Sequence, residues 1–166
     1  MSKLYIIIAL SIFVSNQNIN CSEKNNKNMI YVSLTTQLLN EELFCNLKFT
    51  NNTKSIFFLD KKEIGMTEKV RSKLFLIHKN NDVIPYSGMM KKRKTPGVND
   101  YLAIQPGDSV NTKIRIDNIY EFEEGNHEYT IQYSRYHGSP KDEAVLNKVE
   151  SDVIRFFYNK KTVNSK

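Results

Sequence analysis

From residue 29 onward, apolar side chains recur at every second position. Leu43, Cys45, Leu47 and Phe49 alternate with mostly polar neighbours, and Tyr129, Ile131 and Tyr133 alternate with Thr130 and Gln132. A chain whose side chains return to one face with period two is a half-buried strand, not a helix. The pattern predicts strands over residues 29–39, 43–50, 55–59, 73–79, 83–87, 100–105, 109–116, 127–136 and 152–158. Between them, Asn51-Asn52, Asn80-Asn81-Asp82, Pro106-Gly107-Asp108 and Glu124-Gly125-Asn126 supply residues that tolerate tight or left-handed turns. Short strands punctuated in this way predict a sandwich or barrel. The one helix the pattern allows is a short one over residues 141–149. Asn-rich residues 22–28 and Lys/Asn-rich residues 159–166 read as frayed ends, the second a disordered tail.

The first residues follow a different rule. Lys3 precedes the apolar run from Leu4 to Val14, and a polar stretch follows it. That is the layout of a secretory signal, assigned to residues 1–21. The run is shorter than the roughly 20 residues that span a bilayer. An exported protein is therefore expected, with one domain over residues 29–158. Cys21 would carry lipid if the signal were of the lipoprotein type, although Asn18-Ile19-Asn20 fits the small-residue lipobox poorly. Lipid at Cys21 is the one route to a membrane that this reading contains.

With 40% hydrophobic and 25% charged residues, the composition is that of a globular chain. Two cysteines make no disulfide scaffold, and Cys45 shares a face with three apolar residues, so it is expected to be a buried small hydrophobe. The stretch from Gly125 to Tyr133 carries Tyr129 four residues after a glycine and two before a core position, Ile131. This spacing resembles the tyrosine corner of immunoglobulin-like sandwiches. The expected fold is all-β, an immunoglobulin-like antiparallel β-sandwich of about seven to nine strands.

Several pieces in order carry a family resemblance over residues 34–136. They are residues 43–52, Val83-Ile84-Pro85-Tyr86-Ser87-Gly88, Lys91-Lys92-Arg93, Asp100-Tyr101, Ile104-Gln105-Pro106-Gly107-Asp108-Ser109-Val110 and the Tyr120 to Tyr133 stretch. Together they resemble the N-terminal immunoglobulin-like prodomain of deuterolysin-type (aspzincin) metalloendopeptidases. Where that family often has a Trp-containing segment, this chain has residues 60–67 and no Trp at all. The resemblance stops before any catalytic domain. It implies a module that binds a secreted metalloprotease, as an inhibitor-like or folding-assisting partner.

Catalytic chemistry is sparse. His127-Glu128 begins like a zinc-binding HExxH, but the second ligand position is Ile131, and strand-patterned sequence does not bring i and i+4 together. His78 is expected in a strand and His137 in a loop. No serine lies in a Gly-x-Ser-x-Gly elbow, and the six glycines are scattered singly. No enzyme, no metal and no cofactor are expected.

Charge is the remaining handle. The chain carries 24 Lys and Arg against 18 Asp and Glu, a net +6. Met89, Met90, Lys91, Lys92, Arg93 and Lys94 place two methionines before four successive cations. They form a candidate docking loop for an acidic protein, since basic charge steers association and methionine adapts to a contact. Nucleic acid is not expected, because no aromatic residues interleave the basic run. Two functional readings remain open: a protein-binding module, or a surface-attached envelope lipoprotein with a structural or adhesive sandwich. Asn51-Asn52-Thr53 is a glycosylation sequon if the secretory route is eukaryotic.

Overall fold

Alternation becomes register in the computed structural model, which describes residues 30–67, 69–90, 92 and 95–161. Strands β1 (Ile30–Leu39), β2 (Glu42–Asn51) and β7 (Ser109–Arg115) form one antiparallel sheet in the order β1-β2-β7. The opposing sheet contains β4 (Phe75–Lys79), β5 (Asp82–Val83), β8 (Gly125–Ser139), β9 (Asp142–Glu150) and β10 (Ile154–Lys160). Its order is β10-β8-β4-β5, with β9 also paired to β8. A separate pair joins β3 (Phe57–Asp60) to β6 (Tyr101–Ile104). Early strands beside a late one in one sheet, and middle strands beside the last ones in the other, give an immunoglobulin-like strand order. The fold is an all-β sandwich, as the alternation predicted, with no α-helix among the described residues.

The inward faces make the core. Leu43, Cys45, Leu47 and Phe49 of β2 are buried, as are Phe75 and Ile77 of β4 and Tyr129, Ile131 and Tyr133 of β8. Phe49 meets Tyr133 edge to face across the sandwich, with ring centroids 5.2 Å apart. Such T-shaped pairs are favoured by the ring quadrupole. Cys45 is a free, fully buried thiol, as its position in the alternation predicted. The tyrosine spacing also has its structural counterpart: the Glu123 N–H donates to the Tyr129 hydroxyl at 3.2 Å, tying the strand to backbone just upstream. Tyr120 makes a second such clamp, accepting from the Phe75 N–H and donating to the Phe75 carbonyl.

Four expectations need correction. Residues 141–149 are not a helix but lie in β9, where Val149 is buried and Val145 and Leu146 are exposed. A helix here would have buried little, whereas pairing along residues 134–139 of β8 satisfies the backbone of both strands. Helix propensity gives way to an available sheet edge. His137 is not in a loop but fully buried in β8, because the alternation of Ile131 and Tyr133 continues inward through Gly138-Ser139 before the chain turns. The strand expected over 83–87 shrinks to Asp82–Val83, with an isolated bridge from Tyr86 to Tyr120. Pro85 between them has no N–H to give to a ladder. The last strand runs on through Lys160, two residues into the expected tail.

The sequon is also settled by packing. Asn51 is fully buried, and its amide nitrogen donates to the Ser55 and Ile104 carbonyls at 2.8 and 2.9 Å. Its side-chain oxygen accepts from the Thr53 N–H and hydroxyl. In the folded chain that amide is a structural pin and has no room for a glycan.

Candidate functional site: a tyrosine-walled cleft at one end of the sandwich

Strand β8 is 15 residues long, and its two halves have different partners. Residues 125–131 pair with β10, and residues 134–139 pair with β9. Ser151 marks the changeover: its N–H donates to the Tyr133 carbonyl, its Oγ accepts from the Tyr133 N–H, and it bridges to Val32 of β1. The β8–β9 hairpin lies beyond that point. On its outer face Tyr136 stands opposite Lys148, and Gly138 stands opposite Leu146. The register slips between Gly138 and Ser139, a bulge of the kind that re-aims side chains near sites.

Against this face lies a second wall. Tyr101 is held by its pairing with Asp60 of β3. Just before it, residues Val98–Asp100 form a single 3-10 turn. The turn is closed by the Gly97 N–H on the Asp100 carboxylate at 2.9 Å and by the Asp100 N–H on the Gly97 carbonyl. Lys61 holds it from outside, its Nζ donating to the Asn99 carbonyl and its N–H to the Asp100 carbonyl. Between the walls is an open cleft of about 550 Å³ lined chiefly by Tyr101, Tyr136, Pro96, Pro140, Val98 and Leu146, with Gly138 on its floor. The Tyr101 hydroxyl lies close against Gly138, 2.9 Å from where a Cβ would stand, so a side chain at 138 would push the Tyr101 ring aside.

Beneath the cleft is a buried polar node. His137, neighbour of Gly138, accepts the Asp60 N–H on Nδ1 at 3.0 Å. With Nδ1 accepting, the neutral ring carries its hydrogen on Nε2, which points at the Tyr133 hydroxyl 2.8 Å away. That hydroxyl donates in turn to the Glu63 carbonyl at 3.0 Å. Burial raises the Tyr133 phenol well above its ordinary value of 10.0, the nearby Glu63 charge adding to the effect, so it stays a donor. Arg135 closes the node, pairing with the Glu63 carboxylate and donating to the Lys73 carbonyl. The node fixes β3 to β8, and with them the positions of Tyr101 and Gly138.

No protein-family model matches this chain, and no curated protein matches it.

Among the described residues, the side chains that line the cleft are aromatic, aliphatic or hydroxyl-bearing, with no charged one among them. Its volume lies within the range of roughly 300 to 1,000 Å³ typical of ligand clefts. Val98 is 72% exposed, Leu146 67% and Tyr136 59%, so apolar side chains stand open to solvent around the cleft. A second concavity, about 410 Å³, is the outer face of β1, β2 and β7, edged by Ser33, Thr35, Asn46, Lys48, Asn111 and Lys113. Those are the residues that a solvated face of an antiparallel sheet carries.

Of the expected docking loop, Met89 and Met90 are 61% and 78% exposed and Lys92 is exposed. The Met89 carbonyl accepts from the Tyr86 hydroxyl at 3.2 Å. Lys91, Arg93 and Lys94 lie outside the described residues, as do Cys21 and the whole signal segment. The loop leads directly into Thr95, the first residue of the cleft wall. His127 lies in β8 with a ring nitrogen 2.7 Å from the Glu124 carbonyl, and Ile131, where a second zinc ligand would stand, is buried in the core. Among the described residues no three His, Cys, Asp or Glu side chains are grouped to hold a metal ion.

The alternation missed Tyr101, Tyr136, Val98 and Leu146 as residues of the cleft. For Tyr136 a signal existed, since it falls out of phase with Tyr133 and must face outward. Leu146 was hidden by the helical reading of its segment. Val98 lies in no periodic segment and gives no signal.

Proposed function

We propose that this chain is an exported, non-catalytic module that binds another protein through the cleft, with the cation-rich sequence from Met89 to Lys94, which runs into the cleft wall at Thr95, adding charge. The observation that carries the reading is the exposed apolar cleft directly after a run of four cations. Apolar surface supplies affinity and cations supply steering, the division found at protein interfaces. The resemblance to deuterolysin-type prodomains supports a secreted metalloprotease as the partner, bound in an inhibitor-like or folding-assisting role. The test is affinity capture of the producer's own secreted proteins on the exported chain at low and high salt. A single secreted protein retained at low salt and released at high salt is the expected result. Retention of none would overturn the reading.

A further inference from the structure

We infer that the cleft is the recognition site for an extended acidic segment of the partner, which seats one apolar or aromatic side chain against Tyr136, Leu146 and Val98. This rests on the protein-binding reading and adds where the partner docks and by what chemistry.

Three observations carry it. The first is shape: Tyr101 and Tyr136, with the exposed Val98 and Leu146, wall an open cleft, and Gly138 lets the Tyr101 hydroxyl lie close against the β8–β9 hairpin. Tyrosine walls offer an incoming side chain large area to bury at little conformational cost.

The second is rigidity. The His137, Tyr133, Glu63 and Arg135 node below, and the doubly closed Gly97 to Asp100 turn beside it, hold both walls before anything binds. Preorganised walls reduce the ordering cost of association.

The third is charge. Lys61, Lys92, Lys141 and Lys148 stand on or beside the segments that line the cleft. The segments that wall the cleft, residues 91–101 and 136–150, together carry six Lys and Arg against four Asp and Glu, a positive balance. The run of four cations in the sequence ends one residue before Thr95. A second copy of a chain with net charge +6 would bring like charges together here, whereas an acidic segment is drawn in.

The test uses random dodecapeptides displayed on phage and selected on the immobilised exported chain. The expected winners combine Asp or Glu with one aromatic or large aliphatic residue and bind more weakly as salt rises. They lose about tenfold or more in affinity on Leu146→Asp and on Tyr136→Ala, two exposed positions whose variants should melt like the parent. Amide shift mapping of the winning peptide on the parent chain gives a readout independent of either variant, with changes expected around residues 95–101 and 136–148. Failure to enrich any peptide would overturn the inference, as would neutral or basic winners, or winners that bind both variants within twofold. Sedimentation with phosphatidylserine vesicles that is lost on Lys92→Glu but kept on Leu146→Asp would overturn it in favour of a lipid surface. If a natural partner is captured equally well by the Leu146→Asp variant, the cleft assignment fails while the protein-binding reading stands.

Discussion

At the scale of single residues, His137 is the most constrained group near the cleft. Its ring accepts a backbone N–H on one nitrogen and meets the Tyr133 hydroxyl with the other, inside a fully buried site. His137→Phe keeps most of the ring volume but leaves the Asp60 N–H without its acceptor. Burying an unsatisfied donor costs about 1 to 3 kcal/mol, so urea denaturation should show a loss of that size. A loss below about 0.5 kcal/mol would mean that the node does not hold β3 to β8. Cys45 illustrates the opposite case, a chemically reactive residue made inert by its surroundings. Burial pushes its thiol far above the ordinary value of 9.0, which removes the nucleophilic thiolate. With an aromatic disulfide reagent at neutral pH, its labelling is expected to proceed only at the rate of global unfolding. Fast labelling of the native chain at Cys45, located by peptide mapping, would contradict the packing described.

The elements are joined by turns whose sequences are not all ideal. Strands β1 and β2 are linked by Asn40 and Glu41, both at positive φ, 50° and 68°. Two such central residues make the hairpin turn whose twist matches the flanking strands, and Asn-Gly is its favoured sequence. Asparagine tolerates this conformation, but a glutamate there bears a steric cost of about 1 to 2 kcal/mol. Glu41→Gly should relieve that cost, lose an exposed ion pair with Lys161 and gain unfolded-state entropy. The expected net result is a gain of about 0.5 kcal/mol, read as a higher midpoint in chemical denaturation. Destabilisation would show that the Lys161 contact matters more than an exposed pair should. The β8–β9 hairpin carries the more consequential irregularity, since the two residues at its bulge, Gly138 and Ser139, line the cleft.

For the whole molecule, the buried phenols and thiol tie stability to pH. Cys45, Tyr120 and Tyr133 are all raised above their ordinary values, chiefly by desolvation of the charged form. In the unfolded chain the thiol ionises near 9.0 and the phenols near 10.0. Above those values the unfolded state has released protons that the native state still holds, so unfolding stability falls as pH rises. Below about pH 9 their contribution is complete and flat. Denaturation midpoints should therefore decline from about pH 9 upward, and Cys45→Ala should make the first part of that decline shallower. An unchanged slope in that variant would contradict the assignment of Cys45. At the surface the expectation reverses: Lys92→Glu should shift stability by less than about 0.5 kcal/mol, yet slow association with the partner in surface-binding kinetics.

The sandwich was legible in the sequence because strand alternation is a local property. Whether Leu47 or Ile131 faces inward depends on its neighbours two residues away, and the turns depend on Asn, Gly and Pro at single positions. His137 obeyed the same alternation, but Gly138-Ser139-Pro140 read as a turn and hid it. The 141–149 segment was misread because its own residues do not distinguish strand from helix; the free edge of β8 decided for strand. The cleft was out of reach for a related reason. Its walls come from residues 95–101 and 136–146, and nothing local to either segment says that they meet. That meeting is made by Asp60, whose strand pairs with Tyr101 while its N–H binds His137, and contacts of that range exist only once the chain is folded.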